Sequence, residues 1–291
     1  MNRLEEMEAC RLLVENHLET YFRQECPQQE LLEAMRYSLL AGGKRIRPIL
    51  LIKFCEACGG DAALALPAAC GIEMLHTYSL IHDDMPCMDN DSLRRGKPTC
   101  HVVYGETNAV LAGDALQAAA FGAVLSGNTP PEATVAMAKV LAQAVGEQGM
   151  CGGQYLDMEP DRDACGEEAL AYLHYLKTGA LLKAACLMGV HCAGGTSVQL
   201  AAAEAYAGHL GMAFQIQDDI LDVTSTTEEL GKPVGSDAKE GKTTFASLLG
   251  VDVCEKLVDM HTTKAKEALG KHFAEPGFLI WLADMLARRK K

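Results

Sequence analysis

The chain has 291 residues, a formal net charge of −13, 49% hydrophobic residues and only 5% aromatic residues. So acidic a composition argues against a nucleic-acid partner, because binding to phosphate backbones requires a basic surface. Alanine and leucine outnumber the β-branched residues, which favours helix over strand and predicts an all-α protein.

Several features of the whole chain predict a single cytoplasmic domain. Twelve cysteines are scattered without a repeated Cys-x-x-Cys pair, which is typical of reduced thiols in the cytosol. Residues 1–13 resemble an acidic amphipathic helix rather than a signal peptide. No run of 18 apolar residues occurs, so we expect no membrane insertion. No glycine-, serine- or proline-rich linker divides the chain, so we expect one domain over residues 1–291.

A cluster of basic residues follows the second predicted helix. Leucines at helical spacing predict helices over residues 4–22 and 29–41. A glycine pair ends the second helix, and a proline is placed to begin the next one. The cations between them form either a solvated corner or a metal-free site for an anion. The segment comprises Gly42, Gly43, Lys44, Arg45, Arg47 and Pro48.

A long helix predicted over residues 64–84 ends in aspartates that two arginines follow. Because Pro86 cannot continue a regular helix, the carboxylates lie at a helix end or kink. Mg²⁺ prefers carboxylate oxygens together with substrate phosphates, and arginine matches the geometry of a phosphate group. The stretch therefore predicts a clamp for a diphosphate, although an acidic helix end can also be merely solvated. The acids are Asp83, Asp84 and Asp89, and the arginines are Arg94 and Arg95.

A second acidic cluster lies about 130 residues further along. Asp218 and Asp222 are four residues apart and therefore on one face of a helix, and Asp219 and Asp222 are neighbours at a spacing of three. Like charges so placed destabilise an isolated helix, and a divalent metal ion would compensate them. This helix, over 197–223, is the last of four predicted helices that the breaks TPPE, MCGGQ and AGGTS separate; the others cover 108–126, 132–148 and 167–191.

The basic residues outside these clusters have less specific patterns. Lys177 and Thr178 lie within the helix predicted over 167–191, where they are either surface residues or site residues. The loop after the second acidic cluster supplies Lys232 and Lys242, and loops commonly carry ligand-closing lysines. Residues 251–291 predict a helical tail whose basic end either covers a phosphate site or frays.

Together the two acidic clusters predict opposed walls that hold divalent metal. Their six carboxylates would repel a diphosphate unless cations intervened, so chelation should abolish activity. The order of GGKRIRP (42–48), HTYSLIHDDMPCMD (76–89), RRGKPT (94–99), KTG (177–179), FQIQDDILD (214–222) and GK (231–232) resembles the trans-isoprenyl diphosphate synthases. The likeness is greatest to bacterial-type farnesyl diphosphate synthases. It implies an all-α isoprenoid synthase fold, with long helices around a deep central cavity, and a homodimer.

The resemblance also implies a reaction and a role for each residue. Mg²⁺, three ions per site, would assist ionisation of an allylic diphosphate; isopentenyl diphosphate would then attack the cation, and the departing pyrophosphate would take the proton. The implied metal ligands are Asp83, Asp84, Asp89, Asp218 and Asp222, with Asp219 in support. Arg94, Lys177, Gln215, Lys232 and Lys242 would bind the allylic diphosphate, and Lys177, Thr178, Gln215 and Arg94 would be catalytic. A cationic, metal-free site of Lys44, Arg47, His76 and Arg95 would bind isopentenyl diphosphate.

The length of the product depends on the residues behind the first acidic cluster. Tyr78 and Ser79 lie five and four residues before Asp83, roughly 6–7.5 Å deeper along a helix. A bulky Tyr78 would form a floor that stops elongation at farnesyl diphosphate, unless it is simply a core residue. Geranylgeranyl diphosphate synthesis, a terpene cyclase and a catalytically silent subunit are the alternatives, although a cyclase has no second diphosphate substrate for Lys44, Arg47 and Arg95.

Overall fold

The computed structural model describes residues 2–159, 166–224 and 243–289. These residues are mostly helical and include one two-stranded hairpin, which confirms the all-α fold class. The hairpin pairs β1 (Leu93–Arg94) with β2 (Lys97–Pro98) in antiparallel register. The helices are α1 (Arg3–Leu18), α2 (Gln29–Leu39), α3 (Ile46–Ala57), α4 (Ala62–Asp83), α5 (Cys100–Tyr104), α6 (Glu106–Leu125), α7 (Pro131–Val145), α8 (Met150–Asp157), α9 (Glu167–His174), α10 (Ala180–Cys192), α11 (Ser197–Thr224), α12 (Phe245–Leu249), α13 (Val251–Leu269) and α14 (Gly277–Ala287).

Helix α4 lies at the centre of the fold. It packs against α6 on one side and against α3 on another, while α10 contacts α3, α4 and α11. Phe54 of α3 and Tyr206 of α11 meet edge to face in the core, with ring centroids 5.3 Å apart. The Tyr206 hydroxyl donates a hydrogen bond of 2.8 Å to the carbonyl oxygen of Leu279, so the buried phenol is satisfied. These contacts join α3, α11 and α14 in the core.

Two of the described helices are long and apolar enough to cross a membrane by length and composition alone. These are α4 and α6, whose most apolar windows are 72% and 39% buried. The two helices pack along each other within the helical array. Burial explains the apolar character of α4, and neither helix indicates insertion into a membrane.

The structure differs from the predicted elements in three places. The helix predicted over 167–191 is interrupted by a π-helical turn at Tyr175–Gly179. The MCGGQ segment, predicted as a break, forms the start of α8, and the break lies before it at residues 146–149. The described part of the tail predicted over 251–291 forms two helices, because Gly270 ends the first with a φ of 47° and Pro276 precedes the first residue of α14. Helix α4 ends at Asp83 as the proline after it predicts.

Candidate active site

The loop between α2 and α3 lines a cationic pocket of about 470 Å³. Gly42 and Gly43 have φ angles of 85° and 126°, which permit the sharp turn that brings the loop over α4. A Cβ at Gly43 would lie 2.8 Å from Cζ of Arg95, so this glycine also makes room for that guanidinium. The structure therefore brings together all four residues predicted for isopentenyl diphosphate: Lys44, Arg47, His76 and Arg95 all line the pocket.

The two arginines of the loop have different surroundings. Arg45 forms a buried ion pair with Glu73, with Nη1 2.6 Å from Oε1, and donates through Nη2 to the carbonyl oxygen of Leu39. It therefore anchors the loop to α4. Arg47 is partly buried, its buried Nε has no hydrogen-bond partner among the described residues, and burial lowers its pKa to about 10. Arg47 is thus the cation that an incoming anion can satisfy.

His76 contributes to the pocket as a neutral side chain. Burial, followed by the charges of Arg47 and Arg95, lowers its pKa well below 6.5. Our expectation of a cationic pocket holds for the arginines, but at neutral pH His76 carries no charge. It can offer a phosphate oxygen a hydrogen bond only.

A larger cavity of about 610 Å³ lies beside the cationic pocket. Most of its wall is apolar, and Asp83, Lys177 and Thr178 form part of its polar wall. Arg47, His76 and Thr178 line both spaces, so the two adjoin along a shared wall. A molecule with a charged head and an apolar tail could therefore lie beside a second anion. We call this space the large cavity.

The first acidic cluster lies at the C-terminal end of α4. The backbone N–H of Asp89 donates to the carbonyl oxygen of Asp83 at 2.9 Å, which closes the loop between them. The pKa of Asp83 is raised to about 6, mainly by burial; the Lys177 ammonium opposes this rise, and the charge of Asp89 adds to it. Two carboxylates so close are a fit for a hard divalent cation, which takes oxygen ligands.

Asp84 has a different partner from its neighbours. Arg94 Nε lies 2.7 and 2.9 Å from its two carboxylate oxygens, and Asp84 is only 3% exposed. The pair holds the β-hairpin against the end of α4 and orients the guanidinium. Arg94 thus remains the predicted diphosphate ligand, and Asp84 positions it in this state.

The second acidic cluster lies near the end of α11. Asp218 Oδ1 is 2.6 Å from Arg289 Nη2, and its side chain is 45% exposed. Asp219 is buried and accepts a hydrogen bond of 2.8 Å from the backbone N–H of Phe245, the first residue of α12. Asp222 is also buried. Asp218 is thus the acid of this cluster most open to a bound ion.

The π-helical turn carries Lys177 and Thr178 between the two clusters. Lys177 Nζ is 2.6 Å from Asp157 Oδ2, and the Thr178 hydroxyl donates to Gln215 Oε1 at 3.1 Å. Gln215 precedes Asp218 by three residues on the same face of α11. Since π-helical turns frequently occur at functional sites, this local departure from α-helix agrees with the predicted role of Lys177.

Sequence reasoning missed Asp157 and assigned no role to the glycine pair Gly152-Gly153 earlier in the same helix. A Cβ at Gly153 would lie 2.3 Å from the backbone nitrogen of Lys177, so α8 approaches the π-helical turn closely only because this residue is glycine. The unusual glycine pair in MCGGQ was the available signal. Asp157 is a single aspartate 20 residues from its partner, and no local pattern marks it.

Tyr78 and Ser79 both line the large cavity, and their role in setting the product length stays a prediction. Tyr78 is 8% exposed, and its hydroxyl lies 3.1 Å from Cys151 Sγ. The ring of His82 lies edge to face with the ring of Tyr78, with the ring centroids 5.1 Å apart. Its Nε2 is 3.1 Å from the carbonyl oxygen of Val110.

Two predicted ligands, Lys232 and Lys242, lie outside the described residues. Among the residues described, no three His, Cys, Asp or Glu side chains form a ready metal-binding group. A magnesium ion here would therefore take oxygen ligands from both protein and diphosphate, as Mg²⁺ commonly does. Asp83, Asp89 and Asp218 present carboxylates that suit such an ion, and the roles of all five predicted metal ligands, Asp83, Asp84, Asp89, Asp218 and Asp222, stay predictions.

Comparisons with known proteins agree with this geometry. A family model described as Polyprenyl synthetase matches residues 28–277. Geranylgeranyl pyrophosphate synthase 3, chloroplastic, of Arabidopsis thaliana is 49% identical over 264 residues, which cover 88% of this chain and 73% of that protein. Farnesyl diphosphate synthase of Geobacillus stearothermophilus is 42% identical over 279 residues, covering 95% and 94%. The crystal structure of geranylgeranyl pyrophosphate synthetase from Pyrococcus horikoshii superimposes with a TM-score of 0.89 at 31% identity and covers 99% of this chain and 100% of that one.

Proposed function

Since this chain belongs to the polyprenyl synthetase family, we propose that it makes farnesyl diphosphate from isopentenyl diphosphate and the allylic dimethylallyl and geranyl diphosphates. The chain is a prenyltransferase and a short-chain prenyl diphosphate synthase. The observation that carries the proposal is the wall of Arg47, His76 and Thr178 shared by the cationic pocket and the large cavity. It would hold one diphosphate substrate beside the reactive end of the other.

The allylic substrate would enter the large cavity with its diphosphate toward Asp83. Magnesium held by Asp83, Asp89 and Asp218 would neutralise the diphosphate and assist its departure as a Lewis acid. Arg94 and Lys177 would add charge-assisted hydrogen bonds. The Thr178 hydroxyl and Gln215 amide would present oxygen dipoles to the allylic cation, and the apolar wall would keep water away.

Isopentenyl diphosphate would occupy the cationic pocket. Its diphosphate does not leave, so it needs cations without metal, and Arg47, Arg95 and Lys44 supply them. His76, being neutral, would donate or accept a hydrogen bond. The double bond would then face the large cavity along the shared wall and attack the allylic cation. The carbocation formed by this condensation would lose a proton to the departing pyrophosphate.

The proposed C15 product rests on Tyr78. Its ring is nearly buried in the wall of the large cavity and is held by contacts at both its edge and its hydroxyl. A growing chain that points away from Asp83 along α4 would meet this ring. A C15 product would therefore leave rather than react again.

Geranylgeranyl diphosphate is the second candidate product. The Arabidopsis relative is named for that product, while the Geobacillus relative is named for farnesyl diphosphate. The discriminating experiment incubates purified protein and isopentenyl diphosphate with dimethylallyl, geranyl or farnesyl diphosphate in turn, and resolves the products by mass. We expect C15 from the first two and no elongation of the third. Efficient conversion of farnesyl diphosphate to C20 would favour the second candidate.

The same assay tests the catalytic proposal itself. Pyrophosphate release by the purified chain alone would exclude a catalytically silent subunit. Release should require Mg²⁺ and stop on addition of a chelator. Tyr78→Ala should shift the main product beyond C15 while pyrophosphate release continues, and an unchanged product length would contradict the floor assignment.

We also propose that the chain is a cytoplasmic, single-domain homodimer. An apolar face of α5 and α6 supports the dimer: Val102, Val103 and Leu111 are each 47–52% exposed, and their neighbour Val110 lines the large cavity. A second copy would cover this face. Light scattering should give twice the chain mass, and Leu111→Glu should reduce it to the mass of one chain. The candidate site spans residues from the α2–α3 loop to Arg289, which supports one domain.

A further inference from the structure

Cys151 faces Tyr78 inside the large cavity. Its Sγ lies 3.1 Å from the Tyr78 hydroxyl, and both residues line the cavity. Tyr78 belongs to α4 and Cys151 to α8, so this contact joins two separate walls. Cys151 lies in the MCGGQ segment, to which sequence analysis assigned no role.

The glycines of that segment fix where Cys151 lies. A Cβ at Gly153 would be 2.3 Å from the backbone nitrogen of Lys177, and one at Gly152 would be 2.0 Å from the carbonyl oxygen of Glu147. Larger residues at either position would displace α8. The glycine pair therefore sets the distance between the Cys151 thiol and the opposite wall.

His82 holds the ring of Tyr78 at a place other than the hydroxyl that contacts Cys151. The two rings lie edge to face, with an interplanar angle of 84°. His82 is itself fixed, because its Nε2 contacts the carbonyl oxygen of Val110 and its ring fills the space where a Cβ at Gly113 would be. Within the described part of the chain, Cys151 is the hydrogen-bond partner of the Tyr78 hydroxyl. The thiol is thus what holds the outer end of the phenol.

We propose that Cys151 is a second determinant of product length, which acts by holding the Tyr78 phenol across the large cavity. The proposal rests on the proposed farnesyl diphosphate synthase activity. The ring provides the bulk of the barrier, and the thiol fixes its position. Without the thiol, the ring can rotate toward the space the sulfur occupied, and a C15 chain gains room for one more condensation.

The test compares wild type with Cys151→Ala and Cys151→Ser in the product-length assay, with geranyl diphosphate as the allylic substrate. A single hydrogen bond of this kind changes a ratio of rates by about fivefold. Cys151→Ala should therefore raise the C20 to C15 ratio by about fivefold, and Cys151→Ser, which keeps a hydroxyl partner, should retain the wild-type ratio. Cys26→Ala, a cysteine in the α1–α2 loop away from the cavity, is the matched control.

A double-mutant cycle with Tyr78 shows whether the two residues act together. In a Tyr78→Ala background, Cys151→Ala should change the product ratio no further, because the ring that the thiol holds is absent. Thermal unfolding of each variant verifies that it is folded.

The possible failures are distinguishable. If Tyr78→Ala lengthens the product but Cys151→Ala leaves the ratio unchanged, the role of Cys151 is overturned and the farnesyl proposal stands. Independent, additive effects of the two substitutions would likewise overturn the holding role. If wild type already releases mainly C20, the farnesyl proposal and the barrier fail together.

Discussion

Lys177 and Asp157 form an ion pair in which Nζ lies 2.6 Å from Oδ2. The pair joins the π-helical turn to the last residue of α8, and the Asp157 side chain is only 4% exposed. Since the Lys177 ammonium also opposes the rise in the pKa of Asp83, it lies at the edge of the first acidic cluster. A diphosphate bound there would give this ammonium a second counterion.

Asp157→Asn should destabilise the free protein but not the substrate-bound protein. Without the carboxylate, a partly buried ammonium loses its counterion, which should lower the free energy of unfolding by about 2 kcal/mol. A diphosphate with Mg²⁺ would restore that counterion. Thermal unfolding with and without geranyl diphosphate and Mg²⁺ measures both effects, and we expect a larger ligand-induced rise in melting temperature for the variant.

Asp284→Asn is the matched control for this prediction. Asp284 pairs with Lys266 at 2.7 Å, a similar distance, but both side chains are about one-third exposed. Exposed pairs contribute only about 0.2–1 kcal/mol. The contrary result is that Asp157→Asn behaves like Asp284→Asn, with a small loss of unfolding free energy that ligand does not change. That result would show that Lys177 does not bind the diphosphate.

Substitution by leucine should reduce the stability of the fold at Arg45, whereas at Arg47 it should weaken the binding of isopentenyl diphosphate. Arg45→Leu leaves the Glu73 carboxylate buried without its partner, which should destabilise the fold by about 3–5 kcal/mol. Arg47→Leu removes a partly buried cation whose Nε has no hydrogen-bond partner in the described part of the chain, so the free energy of unfolding should change by less than about 1 kcal/mol or rise. The KM for isopentenyl diphosphate should rise about 10–100-fold, because a charged hydrogen bond to substrate is lost.

Urea unfolding and steady-state kinetics on the two variants check this pair of predictions. A strong loss of stability in Arg47→Leu would make Arg47 a structural residue. An unchanged KM for isopentenyl diphosphate would remove it from the binding site.

The sequence predicted which neighbouring residues of one segment share a site. It did not predict the hydrogen-bond and ion-pair partners that those residues find in other segments. Gly43, Lys44 and Arg47 were grouped correctly because one short loop carries them, and the two aspartate clusters were visible from their spacing. Spacing alone does not indicate that Arg94 engages Asp84 or that the Phe245 amide engages Asp219. These partners come from other elements and depend on tertiary packing.

The predicted helix boundaries were wrong where tertiary contacts override the local helix propensity of the sequence. Glycine is a poor helix former, so MCGGQ indicated a break. The segment is nevertheless helical. Glycine occurs there because a side chain at Gly153 would prevent α8 from packing closely against the backbone of Lys177. The π-helical turn leaves no trace in the hydrophobic pattern, since the helices on either side keep their apolar faces.

Arg289 should compete with magnesium for Asp218. Its guanidinium is 2.6 Å from the carboxylate and lies 3.6 Å from the centroid of the Phe214 ring, so the Arg289 side chain is packed. Arg289→Ala would free Asp218 as a metal ligand. Because the pair is partly exposed, we expect the Mg²⁺ concentration for half-maximal activity to fall by about two- to fivefold.

A magnesium titration of activity measures this shift. Arg288→Ala removes the same charge from the neighbouring, exposed position and should leave the midpoint unchanged. A midpoint that stays constant or rises in Arg289→Ala would mean that Arg289 assists the bound substrate instead of competing for the carboxylate.

The Asp83 carboxylate should lower the free energy of unfolding of the ligand-free protein above pH 6. Its pKa rises from 3.8 to about 6 on folding, mainly through burial. Between these values the folded state binds more protons than the unfolded state, so the free energy of unfolding falls as pH rises through this window. At about 1.4 kcal/mol per pKa unit, Asp83→Asn should stabilise the free protein by roughly 2–3 kcal/mol above pH 7.

The gain should shrink as pH falls below 6 and be small near pH 4, where the carboxyl is protonated in the folded state and partly protonated in the unfolded state, whose pKa is 3.8. Activity should be lost, and geranyl diphosphate with Mg²⁺ should stabilise the variant less than wild type. Asp259→Asn, an exposed position on α13, should change stability by less than about 0.5 kcal/mol at every pH. Denaturant unfolding from pH 4 to 8 gives these differences. A pH-independent gain in Asp83→Asn would show that the carboxylate is not held at a raised pKa, and it would remove the electrostatic reason for a cation between Asp83 and Asp89.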